Sequence, residues 1–239
     1  MKNFAGMVKQ SKKMVFFGGA GVSTESGIPD FRSVDGLYHQ SYDDPPEMIL
    51  SHHYFVEKPE SFYRFYREKM IVKDAMPNIT HRVLAALEQM GKLSAVVTQN
   101  IDGLHQAAGS RAVFELHGSI HRNFCMDCGR FYGLEAMENS TGIPRCSCGG
   151  IIKPDVVLYE EGLDQDVLSG AVSAIASADL LVVGGTSLSV YPAAGLIRYF
   201  KGDALVLINK TATGYDSMAD VVYNESLGEM FREVEEELL

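Results

Sequence analysis

Four cysteines fall in two close pairs within a short stretch of the chain. Cys125 and Cys128 are separated by two residues, and Cys146 and Cys148 follow with one residue between them. Paired thiolates on two turns suit tetrahedral zinc, which prefers four soft ligands at about 2.3 Å. Because sulfur would fill all four positions, none is left for water, so the spacing predicts one structural zinc ion per chain. The second pair is shorter than the common C-x-x-C spacing, which predicts a looser site.

A glycine-rich segment, residues 18–33, directly follows an apolar stretch. Glycines at the end of a strand let the backbone approach a pyrophosphate and donate N–H groups to it. The dinucleotide fingerprint is only partly matched, because Thr24 stands where a third glycine is expected after Gly19 and Gly21. On the glycines alone, a tight turn between a strand and a helix explains the segment equally well.

Residues 29–32 favour the nucleotide interpretation of this segment. Pro29 begins a rigid turn that presents Asp30, Phe31 and Arg32 together. The guanidinium of Arg32 suits phosphate or ribose, and the ring of Phe31 suits stacking. A surface Arg–Asp pair on a loop is the alternative.

Polar residues also follow other apolar stretches, in residues 98–105, in residues 184–193 and at Asn209. Amides and carboxylates at strand ends are typical of ribose or carboxamide recognition, although Asp102 could equally be a helix N-cap. His117 lies between the Asn100 cluster and the cysteines. A lone histidine is more often structural, but this one is a candidate general base, with an imidazole pKa near the operating pH.

The elements that must position these residues alternate between strand and helix. Short apolar, β-branched stretches at residues 14–17, 94–98, 180–183 and 204–208 predict buried parallel strands. Helical patterns lie between them, for example at residues 81–90. This alternation predicts a doubly wound, Rossmann-like α/β domain whose ligands bind at the carboxyl ends of the strands.

Two segments interrupt this alternation and are predicted to be insertions. One, about residues 36–78, includes a helix at residues 61–70 that we expect to fold over the crevice. The other, about residues 122–153, holds every cysteine and predicts a zinc ribbon. We expect these to form a smaller module. The Rossmann-like core of this single domain then comprises about residues 1–35, 79–121 and 154–239.

Composition limits the partners. Of 239 residues, 31 are acidic and 21 basic, and the net charge of −10 disfavours nucleic acid and tolerates lysine-rich partners. No apolar run approaches the roughly 18 to 20 residues that a membrane span needs, so no membrane partner is expected. The sequence has no export-signal pattern and its cysteine spacing favours metal over disulfides, so we expect a cytoplasmic protein.

Together these segments resemble the sirtuins, the NAD-dependent protein lysine deacylases, over nearly the whole chain. The resemblance is carried by residues 19–23, 27–32, 98–102, 117–118, 154–157, 185–187 and 190–193 and by the four cysteines. It implies an NAD site formed by Ala20, Gly21, Thr24, Phe31, Arg32, Gln99, Asn100, Ile101, Asp102, Gly185, Thr186, Ser187 and Asn209.

The resemblance also implies the roles of the reacting groups. His117 would be the general base, with Asn100 near the ribose hydroxyls, and Ile101 with Asp102 would grip the nicotinamide carboxamide. Residues 156–159 would offer an extended edge to the substrate backbone. The substrate contacts implied in this way are Val156, Val157, Tyr159 and Val190.

The implied reaction removes an acyl group from lysine. The amide oxygen attacks the nicotinamide ribose, nicotinamide leaves, and the products are free lysine and O-acyl-ADP-ribose. Members that prefer acidic acyl groups carry Tyr-x-x-Arg on the helical insertion, whereas Tyr66 stands at the Arg position here, so we predict deacetylation over desuccinylation. Where many members carry Phe-Gly-Glu this chain has Tyr159-Glu160-Glu161, and the acidic Glu160 and Glu161 favour basic residues beside the acyl-lysine.

Two other functions remain as alternatives. One is a non-catalytic module that binds NAD and acetyl-lysine, and the other is transfer of ADP-ribose to protein. Product formation separates the first from a deacetylase, and label retained on an acceptor identifies the second.

Overall fold

Two sheets form the framework of the protein in a computed structural model that describes residues 3–30 and 44–239. The strands are β1 (Met14–Gly18), β2 (Leu93–Thr98), β3 (Val113–Glu115), β4 (Gly118–Cys125), β5 (Phe131–Tyr132), β6 (Ile152–Val156), β7 (Leu180–Gly184), β8 (Ala204–Ile208) and β9 (Val221–Tyr223). The larger sheet has the order β3-β2-β1-β7-β8-β9 and is parallel throughout. The smaller sheet, β5-β4-β6, is antiparallel.

Nine α-helices accompany these strands in the described part of the chain. They are α1 (Phe4–Gln10), α2 (Pro46–Ile49), α3 (His52–Glu57), α4 (Pro59–Phe65), α5 (Ile79–Gln89), α6 (Leu104–Ala107), α7 (Glu135–Glu138), α8 (Gln165–Ala176) and α9 (Leu227–Leu238). Among the residues described, no helix has both the length and the apolar character needed to cross a bilayer.

The parallel sheet is buried on both faces because its central strands are apolar at every position. Phe16 belongs to a buried cluster with residues of α1, α5 and α9 on one face, and the neighbouring Phe17 belongs to a second cluster with residues of α8 on the other. Successive side chains of a strand point to opposite faces, so a continuous apolar run is what such a strand requires. The predicted Rossmann-like fold class is confirmed, with all four predicted strands within one residue of the observed ones.

The registers bring the carboxyl ends of the central strands level. Gly18, the last residue of β1, pairs with Thr98 of β2 and with Gly184 of β7, and Gly184 pairs with Ile208 of β8. The strand order reverses between β1 and β7, which is where ligands bind in open α/β sheets. The loops after these four strands therefore meet at one edge.

The helical and cysteine-containing segments share one core. Phe62 and Tyr63 of α4 are buried with Cys125 and Ile152 of the smaller sheet, and the Tyr63 hydroxyl donates to the Ile152 carbonyl oxygen at 2.8 Å. The predicted helix at residues 61–70 is α4 followed by a π-helical turn, Tyr66–Met70. The elements that carry this shared core, α2–α4 with the π-helical turn and the smaller sheet, are called the small module.

Candidate functional site

A cavity of about 1270 Å³ lies between the carboxyl edge of the parallel sheet and the small module. Pockets for one small ligand usually have about 300–1,000 Å³, so this cavity has room for more than one. Its walls come from the loops after β1, β2, β7 and β8 and from residues of the small module such as Ile71 and Leu134. It can therefore bring two ligands together.

The glycine loops after β1 and β7 are interlocked. The Gly21 N–H donates to the Gly185 carbonyl oxygen at 2.8 Å, and a Cβ on Gly21 would come within 2.8 Å of the Gly185 Cα. Gly185 itself has φ +61° and leaves no room for a side chain beside the Val22 nitrogen. Close approach of two loops, rather than a simple turn, is therefore what requires these glycines.

A chain of polar groups crosses the carboxyl edge of the sheet. Gln99 Nε2 donates to Thr186 Oγ1 at 2.9 Å, and the Thr186 N–H donates to Asn209 Oδ1 at 2.9 Å. The Asn209 Nδ2 group is buried and has no partner among the described residues. A buried donor without a partner costs about 1–3 kcal/mol, so this N–H group fits an oxygen atom of a bound ligand. The residues present thus fit a phosphate- or ribose-bearing cofactor such as NAD.

Ser23 links the β1 loop to the loop after β2. Its hydroxyl donates to Asp102 Oδ2 at 2.6 Å and accepts from Asn100 Nδ2 at 3.1 Å. Asp102 Oδ1 also accepts from the Leu104 N–H at 2.9 Å at the start of α6, whose N-cap is Gly103, so Asp102 both holds this helix end and lines the cavity. Burial raises the pKa of Asp102. Sequence reasoning assigned no role to Ser23; its only indication was its place in residues 19–23.

The imidazole of His117 is fixed in one tautomer. Its Nδ1 lies 3.0 Å from the Gln99 carbonyl oxygen, which can only accept, so Nδ1 carries the proton and Nε2 keeps a lone pair. Burial lowers the pKa of His117, which keeps the ring neutral at neutral pH. Gly118 has φ +75°, and a Cβ there would collide with the Asp155 carbonyl oxygen. The backbone turn directly after His117 thus depends on glycine.

The proposed peptide edge continues β6 along the cavity wall. The Val157 N–H donates to the His117 carbonyl oxygen at 3.0 Å, which joins this edge to the imidazole-bearing residue. Tyr159 is joined to the small module, since its N–H donates to the Leu50 carbonyl oxygen at 3.0 Å. Glu160 has φ +75°, in the left-handed region that favours glycine, and its carboxylate accepts from the His53 N–H at 3.0 Å.

The negative charge of Glu161 is compensated by neighbouring groups within the protein. Its carboxylate contacts Lys153 Nζ at 3.2 Å and His52 Nδ1 at 2.8 Å. Of the acidic pair expected to favour basic substrates, Glu160 is the one that keeps an exposed carboxylate.

The cavity brings together the predicted site residues that lie in the described part of the chain. Those that line it are Ala20, Gly21, Thr24, Gln99, Asn100, Ile101, Asp102, His117, Val156, Val157, Tyr159, Gly185, Thr186, Ser187, Val190 and Asn209. Phe31 and Arg32 lie outside the described residues.

The four cysteine sulfurs form a compact cluster, all within 4.8 Å of one another. Cys125 and Cys148 have their sulfurs 3.5 Å apart, and Cys128 and Cys146 have theirs 3.6 Å apart. Tetrahedral zinc with bonds of about 2.3 Å places its sulfur ligands about 3.8 Å apart, so the cluster fits this metal. Hydrogen bonds from the Cys148 backbone and the Tyr132 hydroxyl lower the pKa of Cys146 to about 6, which favours a thiolate. The shorter second pair therefore still closes the cluster.

The amino-acid sequence matches the model of one protein family and is similar to named proteins. The model of the Sir2 family matches residues 19–192. A protein named NAD-dependent protein deacetylase from Clostridium acetobutylicum is 61% identical over 232 residues, 95% of each chain. Another of that name from Clostridium tetani is 55% identical over 241 residues, covering 99% of this chain and 98% of its own.

Solved structures agree in fold over almost the full length. A Sir2 structure with a p53 peptide and NAD⁺ has a TM-score of 0.85 and 40% identity, covering 98% of this chain and 96% of its own. A second, with deacetylated p53 peptide and 3′-O-acetyl-ADP-ribose, has a TM-score of 0.89 and 39% identity, covering 98% and 97%. With the family model and these full-length relatives in agreement, the chain belongs to the Sir2 family.

Proposed function

We propose that this protein is an NAD-dependent protein lysine deacetylase. It converts acetyl-lysine, NAD and water into lysine, nicotinamide and O-acetyl-ADP-ribose. The observation that carries the proposal is the neutral His117, whose Nε2 lone pair is available in a cavity that also holds Asn100 and the Asn209 donor. Relatives named NAD-dependent protein deacetylase support it across the whole chain.

The loops after β1, β7 and β8 would hold the diphosphate and adenosine of NAD. The N–H groups of the glycine loops and the buried Asn209 Nδ2 are donors, which phosphate and ribose oxygens accept. When bound, NAD supplies the leaving group, nicotinamide, and the ribose that takes up the acetyl group. Gln99 and Thr186 would keep the two sides of this cradle in register through their hydrogen bond.

His117 would act as the general base. Its Nε2 is the unprotonated nitrogen, so it can accept a proton from a ribose hydroxyl. Burial lowers the pKa of His117, which keeps this nitrogen unprotonated at neutral pH. Asn100, held by Ser23, would orient the ribose hydroxyls. Asp102, held by the same serine, would accept a hydrogen bond from the nicotinamide carboxamide together with Ile101.

The substrate would enter as an extended peptide between residues 156–159 and the loop that contains Val190. Its acyl group is expected to be uncharged. Tyr66 is fully buried and stacks on Phe62, and Tyr63 is bonded within the small module, so these positions offer no cation to a carboxylated acyl group. This favours deacetylation over desuccinylation.

We further propose that residues 1–35, 79–121 and 154–239 act as the nucleotide-binding unit and that residues 36–78 and 122–153 act as the smaller one. β4 and β6 run past the boundaries between these ranges, so both units share the site. We propose the cytoplasm as the location, because a reducing compartment keeps the four thiols available to zinc.

Mass spectrometry of peptides tests the proposal directly. Zinc-loaded protein is incubated with NAD and matched acetyl-lysine and succinyl-lysine peptides. We expect loss of acetyl from the first peptide, formation of O-acetyl-ADP-ribose, and little change in the second. Binding of both ligands without product would instead indicate a binding module, and ADP-ribose retained on protein would indicate a transferase.

A further inference from the structure

We infer that His121 is a positioning residue for the loop of residues 101–103 and so sets how tightly the enzyme binds NAD and nicotinamide. This inference rests on the proposed function, in which Ile101 and Asp102 hold the nicotinamide carboxamide. His121 belongs to β4 and lines the same cavity as that loop.

The first observation is a hydrogen bond between side chain and backbone. His121 Nε2 lies 3.0 Å from the carbonyl oxygen of Asp102. A carbonyl oxygen only accepts, so Nε2 must carry a proton and donate it. The Asp102 carboxylate is held separately by Ser23 and by the Leu104 N–H. His121 therefore fixes the backbone carbonyl group of Asp102, which these two contacts do not hold.

The second observation is the fit of the imidazole against Gly103. Gly103 has φ +72°, and a Cβ built there would lie 2.7 Å from Cδ2 and 2.8 Å from Nε2 of the His121 ring. The ring thus occupies the space that any side chain at position 103 would need. It supports the peptide unit between Asp102 and Gly103 by contact as well as by hydrogen bonding.

The third observation explains why a β4 side chain reaches this loop at all. Ser119 pairs with Asp155 and Asn123 pairs with the adjacent Pro154, so residues 120–122 are looped out of the β4–β6 ladder. Such bulges redirect side chains and occur beside active sites. The Ile120 N–H donates to the Ile101 carbonyl oxygen at 3.0 Å, which docks the bulge on the same loop.

The far side of the bulge is anchored by an ion-pair cluster. Arg122 contacts Glu115 at 2.6 Å and Asp155 at 2.7 Å, and so ties the bulge to β3 and β6. With both of its neighbours fixed in this way, His121 is held over Gly103. Because its side chain is exposed at the rim of the cavity, replacing it should leave the folded core intact.

Three substitutions separate the hydrogen bond from the ring. His121→Ala removes both, His121→Phe keeps a ring without the donor, and His121→Gln keeps an N–H donor of similar reach. We expect the KM for NAD and the inhibition constant for the product nicotinamide to rise about threefold to tenfold in the Ala and Phe variants, as for loss of one hydrogen bond. The value of kcat should stay within about twofold, since the lost contact acts on binding. The Gln variant should stay near the parent protein.

Two controls make the outcome decisive. His53→Ala removes an exposed histidine whose ring contacts Glu57 outside the cavity, and it should change neither constant. Asp102→Asn tests the underlying assignment. If Asp102→Asn weakens NAD binding while the His121 variants match the parent protein, the role of His121 is wrong. If Asp102→Asn leaves both constants unchanged, the proposed nicotinamide site itself is wrong. A lowered melting temperature with unchanged constants would mark His121 as merely structural and overturn the inference.

Discussion

The chemistry of the site depends on which nitrogen of His117 carries a proton. The Gln99 carbonyl oxygen holds the proton on Nδ1, which leaves Nε2 as the nitrogen that can accept a proton in the proposed reaction. Replacing His117 with Ala should therefore lower kcat by about 100-fold or more, the usual contribution of a general base. Steady-state release of nicotinamide measures this. His53→Ala is the matched control and should retain full activity; an active His117→Ala protein would remove the imidazole from the mechanism.

The same histidine predicts a pH profile. Burial lowers the pKa of His117, and only the neutral ring can accept a proton. Activity should therefore be maintained as pH falls through the ordinary histidine range near 6.5 and should decline only below it. A profile of kcat/KM between pH 5 and 8 checks this. An acid limb centred above pH 7 would show that burial does not control this group.

Single functional residues could be predicted where an uncommon residue type recurs at a characteristic spacing. Four cysteines in two close pairs have the spacing of metal ligands, so the sulfur cluster could be expected. Ser23 and His121 could not be identified in this way. Their partners, Asp102 and the Asp102 carbonyl group, lie 79 and 19 residues away in sequence, and no local pattern specifies such hydrogen bonds.

At the scale of elements, the smaller sheet depends on the cysteine cluster. β4 ends at Cys125, β5 has only two residues, and Arg145 beside Cys146 pairs with Ile151 just before β6. Removal of zinc by a chelator should unfold this sheet and abolish activity, because two of the predicted ligands, Cys125 and Cys146, lie in its buried core. Metal analysis should give one zinc per chain in the active protein, and the double variant Cys146→Ser, Cys148→Ser should lose it. Full metal content in that variant would show that the ligand set is wrong.

The start of β7 is tied to the segment between α1 and β1 by one carboxylate. Asp179 accepts hydrogen bonds from Ser11 Oγ at 2.6 Å, from the Lys12 N–H at 2.8 Å and from the Lys13 N–H at 3.1 Å. Asp179→Ala should lower the free energy of unfolding by about 1–3 kcal/mol, since these donors lose a charged acceptor. Urea unfolding measures the change. Glu236→Gln on the exposed side of α9 should change it by less than about 0.5 kcal/mol, and an equally small effect of Asp179→Ala would contradict this role.

Strands at the centre of the sheet were predictable and those at its edges were not. β1, β7 and β8 are apolar along their length because helices cover both faces. β3 and β9 are three residues long and only partly buried, so they leave no apolar run to recognise. The pattern at residues 61–70 predicts one continuous helix, yet its second half is a π-helical turn whose Tyr66 is buried in the core of the small module.

At the scale of the whole molecule, two buried histidines should make stability depend on pH. His81 and His105 are fully buried with ring centroids 4.7 Å apart, and burial lowers their pKa values to about 4 and about 3. Both bind protons in the unfolded chain near pH 6.5 but stay neutral when folded. The free energy of unfolding is therefore unaffected by the titration of these two histidines above that pH. It falls progressively as pH falls toward 4, by up to about 1.4 kcal/mol per pH unit for each histidine.

Unfolding free energies measured between pH 5 and 7 check this dependence. The slope of unfolding free energy against pH gives the number of protons taken up on unfolding. This number should fall by about one in His105→Gln and should be unchanged in His53→Ala, whose ring is exposed. Equal slopes in all three proteins would contradict the assignment of neutral, buried rings.

The topology as a whole followed from alternation of strand and helix, which predicted the parallel sheet and the edge where ligands bind. What sequence could not supply was the bulge at residues 120–122, because register depends on pairing between strands far apart in the chain. That bulge directs Ile120 and His121 onto the Asp102 loop, so the finer geometry of the site is a tertiary property.

The account is tested most directly by measuring nicotinamide released from NAD by the purified, zinc-loaded protein, with and without an acetyl-lysine peptide. We predict release only when both are present, in equal amounts with free lysine peptide, and its loss in His117→Ala. Release without peptide, or none with both substrates, would contradict the central claim that this cavity couples NAD cleavage to deacetylation.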